Sequence, residues 1–465
     1  MKLNFKAFAD KMKRAGLSEL QIRAFENSCS RAFSGGSVYL YEKDIAPVRS
    51  LKKLEELAVP GTERERELLH KCAVLKLNGG LATTIGLEKG PKALVRVRKN
   101  LCFLDIVMLQ MRYLRRAFQS DAFPLILMNS FNTHKETLAF LSRSYGSEDL
   151  RNVEELIQSK VPRIDAETLE PYVCSENEAK EWCPPGHGDI YMSLFGSELL
   201  RKLRKMKIRY IFVSNIDNLG AVPDMRIPAW MDDNGCPFLM EVARRCEADK
   251  KGGHLALDRE GRYVLRESGM CAPQDRESFG NIELYRYFNT NNIWFDLEAA
   301  SEALEARGGF FELPLICNRK TLTDKDGTEH KVCQLETACG TAVSVFPGAQ
   351  ALEVPRTRFA PVKSLADLLS VRSDVFALHE DYRLRLIEGR EWPPIVILPP
   401  EINSVDRFER MFPCGPPGLK DCVRLEIDSP GVFGPGVVCR GGVRIKGKRD
   451  FYAVEGSVLE GELFL

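Results

Sequence analysis

Three short apolar runs constrain this chain more than any other feature. Ala73-Val-Leu-Lys-Leu77, Pro124-Leu-Ile-Leu-Met128 and Arg209-Tyr-Ile-Phe-Val213 each have strand length, run into Gly, Asn or Asp, and lead into helical periodicity. Strands that alternate with helices predict an α/β fold built on a mostly parallel, doubly wound sheet. Turn signals at Asp233-Asn-Gly235, Glu260-Gly261 and Asp326-Gly327 predict antiparallel hairpins inserted into it. Ahead of the sheet, Phe5, Phe8 and Met12 share a helical face, Gly16 interrupts, and Ser18-Glu-Leu-Gln21 has the form of a capping box opening a second helix. After about residue 380 the helical texture fades. Pro393 to Pro400 reads as a strand bounded by prolines. Val423, Leu425, Ile427, Val432, Val438, Val443, Ile445, Val454 and Val458 recur among glycines. Periodicity alone leaves a small β-helix, a β-sandwich and a few hairpins open for that segment.

Composition bounds what such a fold can serve. Sixty-six Lys and Arg against 65 Asp and Glu leave a net charge of +1 over 465 residues, which excludes a polybasic nucleic-acid binder. The run Arg201 to Arg209 is accordingly read as a solvated helix end. No apolar stretch approaches the roughly 20 residues needed to span a bilayer, so no membrane partner is expected. The N-terminus lacks a signal-peptide apolar region, and the cytoplasm is the expected compartment. The 14 cysteines contain no Cys-x-x-Cys, so they are read as reduced thiols rather than zinc ligands or disulfides.

Five segments carry chemistry. Leu77-Asn78-Gly79-Gly80 ends a strand in a glycine turn, where backbone N–H groups can face phosphate oxygens. No Walker sequence closes that turn, and a plain tight turn is the rival reading. Lys92, in Gly90-Pro-Lys, adds a fixed cation. His187 lies between glycines in Pro184-Pro-Gly186-His-Gly-Asp189, open to a small polar ligand, whereas His70, His134, His254, His330 and His379 read as structural or surface groups. Asn215 and Asp217 arrive at the carboxyl end of an apolar strand, where α/β sheets bind ligands. Asp217 there is either a Mg²⁺ ligand or the cap of the next helix. Asn289, Asn291 and Asn292 offer amides that both donate and accept, as sugar hydroxyls require. Lys363 follows a proline-stiffened strand and, on sequence alone, reads as a surface charge.

Taken in order, these segments resemble the eukaryotic UTP–glucose-1-phosphate uridylyltransferases. The resemblance runs through Lys76-Leu-Asn-Gly-Gly-Leu, Gly90-Pro-Lys, Leu127-Met-Asn-Ser-Phe-Asn-Thr133, Pro184-Pro-Gly-His-Gly-Asp189, Val213-Ser-Asn-Ile-Asp-Asn-Leu-Gly220, Phe288-Asn-Thr-Asn-Asn292, Gln334-Leu-Glu-Thr337 and Pro361-Val-Lys363. It implies a helical segment over 1–55, a Rossmann-like nucleotidyltransferase domain with a mixed sheet over 56–378, and a C-terminal left-handed β-helix over 379–465. The implied reaction joins UTP and glucose 1-phosphate into UDP-glucose and pyrophosphate, with Mg²⁺ on Asp217. By the same resemblance Leu77, Asn78, Gly79, Gly80, Lys92, Gln158, Gly186, Asp217 and Lys363 attend the nucleotide. His187, Asn215, Ile216, Asp217, Asn289, Thr290 and Asn291 attend the sugar phosphate, and Lys92 and Lys363 carry the catalysis. A homo-oligomer formed through the C-terminal domain is the protein partner implied.

The chain departs from the family at Ala82, where glycine is usual, and at Glu88-Lys89, which bring an ion pair into the loop. Leu265-Arg-Glu-Ser268 replaces a more apolar stretch. Enzymes for N-acetylhexosamine or broad UDP-sugar substrates carry Arg-Leu-Gly where this chain has Thr84-Ile-Gly86. A nucleotide-sugar-binding regulator without catalysis has less need of Lys92, Asp217 and Lys363 together.

Overall fold

The computed structural model describes residues 3–33, 38–81, 85–86, 90–98, 100–120, 123–447 and 450–464, with Ala248 described by its backbone alone. The three apolar runs form the strands Cys72–Asn78, Leu125–Asn129 and Tyr210–Asn215, which pair in parallel. With Val153–Ile157 they form the parallel half of a ten-stranded mixed sheet. Side chains alternate across these strands. Ala73, Leu75, Ile126, Met128, Ile211 and Val213 enter one apolar cluster. Val74, Leu125, Leu127, Tyr210 and Phe212 enter another on the opposite face. Both faces are covered, and that is why the strands read as unbroken apolar runs rather than as alternating ones.

The ten-residue strand Tyr287–Asp296 lies antiparallel to Tyr210–Asn215 and turns the sheet mixed. Its Asn289 to Asn292 segment lies inside this strand, not in the turn that amide-rich sequence suggests. Glu260-Gly261 and Asp326-Gly327 do close hairpins, His254–Leu257 with Tyr263–Arg266 and Leu315–Thr323 with Glu329–Thr337. Asp233-Asn-Gly235 does not. Gly235 takes the left-handed conformation, at φ 60°, that ends the helix Arg226–Asn234. The same dipeptide chemistry serves a hairpin turn and a helix C-terminus, so local sequence cannot separate them.

At the N-terminus, Phe5–Arg14 and Glu19–Phe33 are helices, and Ser18 and Gln21 exchange the two bonds of the expected capping box. Phe8, Met12, Ile22 and Phe25 bury against Val161, Ile164, Trp182 and Leu335. Helical texture does not vanish after residue 380, since Val405–Met411 is a helix. The strands Ile395–Ile397, Cys422–Ile427, Val438–Lys446 and Val458–Phe464 pair in parallel, as do Gly431–Phe433 and Phe451–Ala453. Parallel register rules out hairpins and leaves a coil of short strands. Its interior (Leu425, Phe433, Val443, Ile445, Phe451) is continuous with the core on one face of the main sheet. Among the described residues, no helix is long and apolar enough to cross a membrane, and the 14 cysteines are free thiols.

His254 is sealed inside this fold, stacked at 3.9 Å on Tyr285 and near Phe279, with Arg245 and Arg266 close by. Burial first, and the two arginines second, push its pKa down to about 3. The unfolded chain therefore takes up this proton near pH 6.5 while the folded chain does not, so the stability contribution is present above 6.5 and is lost as pH falls from there toward 3. His254→Phe keeps the aromatic stack and removes the titration. Urea unfolding at pH 7.5 and 4.5 is expected to show a smaller loss of stability on acidification in this variant than in the wild type.

Candidate active site

The four parallel strands stop at a common edge, because Asn215, Leu77 and Met128 share one register level and Asn78, Asn129 and Ile157 share the next. The chain turns at Gly79-Gly80 immediately beyond. Ser130 Oγ donates to the Gly79 carbonyl at 2.8 Å, and Gly80 accepts from Lys92 N at 3.3 Å, so the loop folds back on itself. A Cβ on Gly79 would lie 2.7 Å from Gln158 Oε1. Glycine at that position is what lets the Gln158 amide close on the turn. Gln158 Nε2 in turn donates to the Gly186 carbonyl at 2.6 Å. Gly186 has φ 84°, and a Cβ there would sit 2.3 Å from the Thr337 carbonyl. Turn, amide and second glycine thus form one contiguous wall.

The other wall begins at Asp217, whose carboxylate meets Lys92 Nζ at 2.5 Å with both side chains largely buried. Asp217 is not a helix cap, since the next helix starts at Arg226. Two residues before it, Asn215 Oδ1 accepts from Asn291 Nδ2 at 2.9 Å. Asn291 has φ 59°, and its N–H is held by Asn289 Oδ1 at 2.9 Å. Asn289 Nδ2 then donates to Glu267 Oε1 at 3.2 Å. Burial raises the pKa of Glu267, against the opposing pull of Asn289 and the Lys363 ammonium. Lys363 lies over the rings of Phe288 and Phe359 at 5.4 and 5.9 Å. It follows a 3₁₀ turn at Arg356–Arg358 and precedes the helix Leu365–Arg372, so the stiffened strand expected before it is absent.

His187 joins the two walls. Its Nδ1 accepts from the Cys339 backbone N–H at 3.0 Å, which places the ring proton on Nε2. Burial lowers its pKa to about 4, leaving a neutral imidazole with one N–H to donate. Cys339 Sγ reaches Asn291 Oδ1 at 3.4 Å, closing the ring of contacts from His187 to the asparagines.

Three expected residues present no side chain here. Asn78 is buried and donates to Asn129 Oδ1 and Thr137 Oγ1, so only its backbone faces the turn. Ile216 points into the apolar core and gives its N–H to the Leu77 carbonyl. Thr290 is fully buried and donates to the Glu241 carbonyl at 2.6 Å, on the strand face opposite to Asn289 and Asn291. Ser130, Glu267, Thr337 and Cys339 were given no role from sequence. The signal for two of them lay in Leu127 to Thr133 and Gln334 to Thr337, segments with no chemistry of their own until the fold brings them to the edge. Ala82, Thr84, Glu88 and Lys89 lie outside the described residues. Gly86 packs on the C-terminal segment, where a Cβ would meet the Asn403 carbonyl at 1.9 Å.

The acidic residue at this edge that could hold a hard divalent ion is tested by its donor chemistry alone. Among the described residues no cluster of three or more His, Cys, Asp or Glu could enclose a metal. Mg²⁺ is ordinarily held by one or two carboxylates, with substrate phosphates and water completing the shell. Asp217, already facing a cation, fits that donor set.

The family profile described as UTP–glucose-1-phosphate uridylyltransferase matches residues 22–440. The enzyme of that name from Encephalitozoon cuniculi is 37% identical over 429 residues, covering 91% of this chain and 83% of its own. The one from Saccharomyces cerevisiae is 40% identical, covering 81% and 74%. Among solved structures, UDP-glucose phosphorylase from Trypanosoma brucei superposes with a TM-score of 0.92 at 39% identity over 99% of each chain. A variant of UDP-glucose pyrophosphorylase from Leishmania major in complex with UDP-glucose gives 0.92 at 39% identity, covering 100% and 99%.

Two of the three glycines of the site make opposite demands. Gly80 has open space where a Cβ would stand, whereas Gly186 is left-handed and in close contact. Gly186→Ala is expected to cost at least about 1–2 kcal/mol of stability from the backbone conformation alone, with Gly80→Ala clearly smaller, as read by calorimetric unfolding of both variants.

Proposed function

The chain belongs to the UTP–glucose-1-phosphate uridylyltransferase family, and from that membership we propose that it converts UTP and glucose 1-phosphate into UDP-glucose and pyrophosphate at the carboxyl edge of its central sheet. The observation that carries this reading is the Lys92–Asp217 pair, set between a glycine wall and a wall of amides. A triphosphate brings negative charge that a glycine turn screens only in part, and a hexose brings hydroxyls that need donors and acceptors in alternation. The two walls match those two needs.

In this reading the backbone of Leu77 to Gly80 and Gly186 holds the nucleotide, and Gln158 reads the edge of the uracil. His187 donates Nε2–H to the sugar phosphate. Asn215, Asn289 and Asn291 take the hexose hydroxyls, and Glu267 adds an acceptor beside them. A phosphate oxygen of glucose 1-phosphate attacks the α-phosphorus of UTP in line. The new P–O bond forms as the bond to the bridging oxygen breaks, and that electron pair leaves with pyrophosphate. No enzyme nucleophile is needed, so positioning and charge compensation are the catalytic task. Lys92 and Lys363 supply fixed positive charge to the phosphates. Asp217 would hold Mg²⁺, which when bound compensates further charge on the phosphate oxygens. The same reading includes the Rossmann-like character of the domain over 56–378, the left-handed sense of the C-terminal coil and placement in the cytoplasm. It includes self-association through that coil, whose outer face exposes Val423, Tyr452, Val454 and Val458.

Pyrophosphate release from UTP, measured with a panel of sugar 1-phosphates with and without Mg²⁺, tests the assignment. Glucose 1-phosphate is expected to be preferred and the divalent ion to be required. Preference for an N-acetylhexosamine 1-phosphate overturns the substrate. Lys363→Ala is expected to lower kcat by about a hundredfold or more, the scale for losing one preorganised charge donor, while UTP binding survives in part. Near-normal kcat would remove Lys363 from the mechanism.

A further inference from the structure

Beneath the sugar-phosphate wall lies a polar network sealed from solvent that takes no direct part in the chemistry above. Its centre is Glu241 with Arg358, 0% and 5% exposed. Glu241 Oε1 accepts from Arg358 Nη2 at 2.6 Å and from Trp294 Nε1 at 2.9 Å. Oε2 accepts from Arg358 Nε at 2.8 Å and from Asn292 Nδ2 at 3.1 Å. Arg358 Nη1 donates to the Val222 carbonyl, and the Arg358 carbonyl accepts from Asn218 Nδ2 at 3.1 Å. Asn218 Nδ2 also reaches Asn292 Oδ1, and Asn218 Oδ1 accepts from Ala360 N at 3.0 Å.

The members of this network are chain neighbours of the site residues. Asn218 follows Asp217, Asn292 follows Asn291, Ala360 lies three residues before Lys363, and the Glu241 carbonyl holds Thr290. Asn292 is therefore tied to the Glu241 carboxylate directly, and the Asn218 and Ala360 segments are tied to the pair through the Arg358 main chain and the Asn292 amide. A buried ion pair contributes little net stability compared with an apolar replacement, because the desolvation of both charges offsets their attraction. What it does contribute is geometry, since a planar fork on a carboxylate accepts one arrangement. None of these bonds reaches Gly79, Gln158 or Gly186, so the nucleotide wall stands independently of it.

We propose that the Glu241–Arg358 pair is a positioning element of the transfer step: it sets Asp217, Asn291 and Lys363 in mutual register, and its loss costs turnover and sugar-phosphate affinity far more than nucleotide affinity, most of which Gly79, Gln158 and Gly186 hold independently of it. The proposal rests on the uridylyltransferase reading.

The test uses the full chain with both charges removed together, Arg358→Met with Glu241→Leu, since replacing a buried pair by apolar groups of similar volume is often neutral for stability. The melting temperature is expected to fall, because Trp294 Nε1 and Asn292 Nδ2 lose their acceptor, while the UTP Kd by calorimetric titration stays within about threefold. Over the same comparison, kcat is expected to fall at least tenfold and KM for glucose 1-phosphate to rise, the scale for misplacing reacting groups by an ångström or less. Wild-type kcat and KM in a folded double variant overturn the proposal. Should that variant not fold, Asn218→Ala removes the uncharged link alone and is expected to show the same split. An equal loss of UTP affinity and turnover there marks a merely structural role and also overturns the proposal. Absence of pyrophosphate release by the wild type would instead sink the functional reading, so the two failures are distinguishable.

Discussion

Lys92 and Asp217 lie 125 residues apart in the chain and 2.5 Å apart in space, on two different loops at one sheet edge. Almost everything else at the site serves that meeting. Neither charge alone could be held so far from water, because an unpaired buried charge is costly. Paired, both stay ionised in a largely buried place, and in the proposed reaction polyanion binding would exchange one partner for another rather than desolvate fresh groups. In that reaction the cation would take phosphate oxygens and the carboxylate a divalent ion. That exchange is cheap only if the two loops do not move apart meanwhile. The Lys92 loop is tied back through Gly80, and the Asp217 turn is anchored through Asn218.

The two walls around this pair use different chemistry, as the two ligands of the proposed reaction would require. On one side, backbone groups and glycines come close to each other and leave room for phosphate, with Gln158 as the principal side chain. On the other, asparagines dominate, and each satisfies its neighbour: Asn215 with Asn291, Asn291 with Asn289, Asn289 with Glu267. A chain of mutually satisfied amides stays ordered without a ligand. Each amide keeps further donor and acceptor capacity, so in the proposed reaction preorganisation and recognition would come from the same groups.

Much of this was legible from sequence where local rules suffice. The apolar runs announced a doubly wound sheet, the capping box at Ser18 to Gln21 formed, and Lys92, His187, Asn215, Asp217, Asn289 and Asn291 lie at one edge, facing Gln158 and Gly186, which the family resemblance rather than a local rule singled out. What escaped was set by tertiary context. Asp233 to Gly235 ends a helix because the preceding residues find a helical partner surface, a fact no dipeptide carries. Thr290 and Ile216 were named along with their neighbours, but alternation turns each toward the core. Glu267 and Cys339 acquire meaning only through strands that meet far from them in sequence.

His187 shows how far such context reaches into chemistry. Sequence gave a histidine between glycines, a residue that on its own could be an acid, a base or a charged phosphate ligand. The Cys339 N–H on Nδ1 and the burial of the ring remove most of those options. With a pKa near 4, the ring is neutral throughout the physiological range, and its remaining proton can only point outward from Nε2. A neutral donor binds a phosphate oxygen without drawing its charge away, so the oxygen stays nucleophilic, whereas an imidazolium would compete with the attack it is meant to assist. In the proposed reaction positive charge would come from Lys92 and Lys363 instead. This would assign the attacking phosphate to a neutral donor and the charge of the leaving group to lysines, a division that leaves the attacking oxygen nucleophilic.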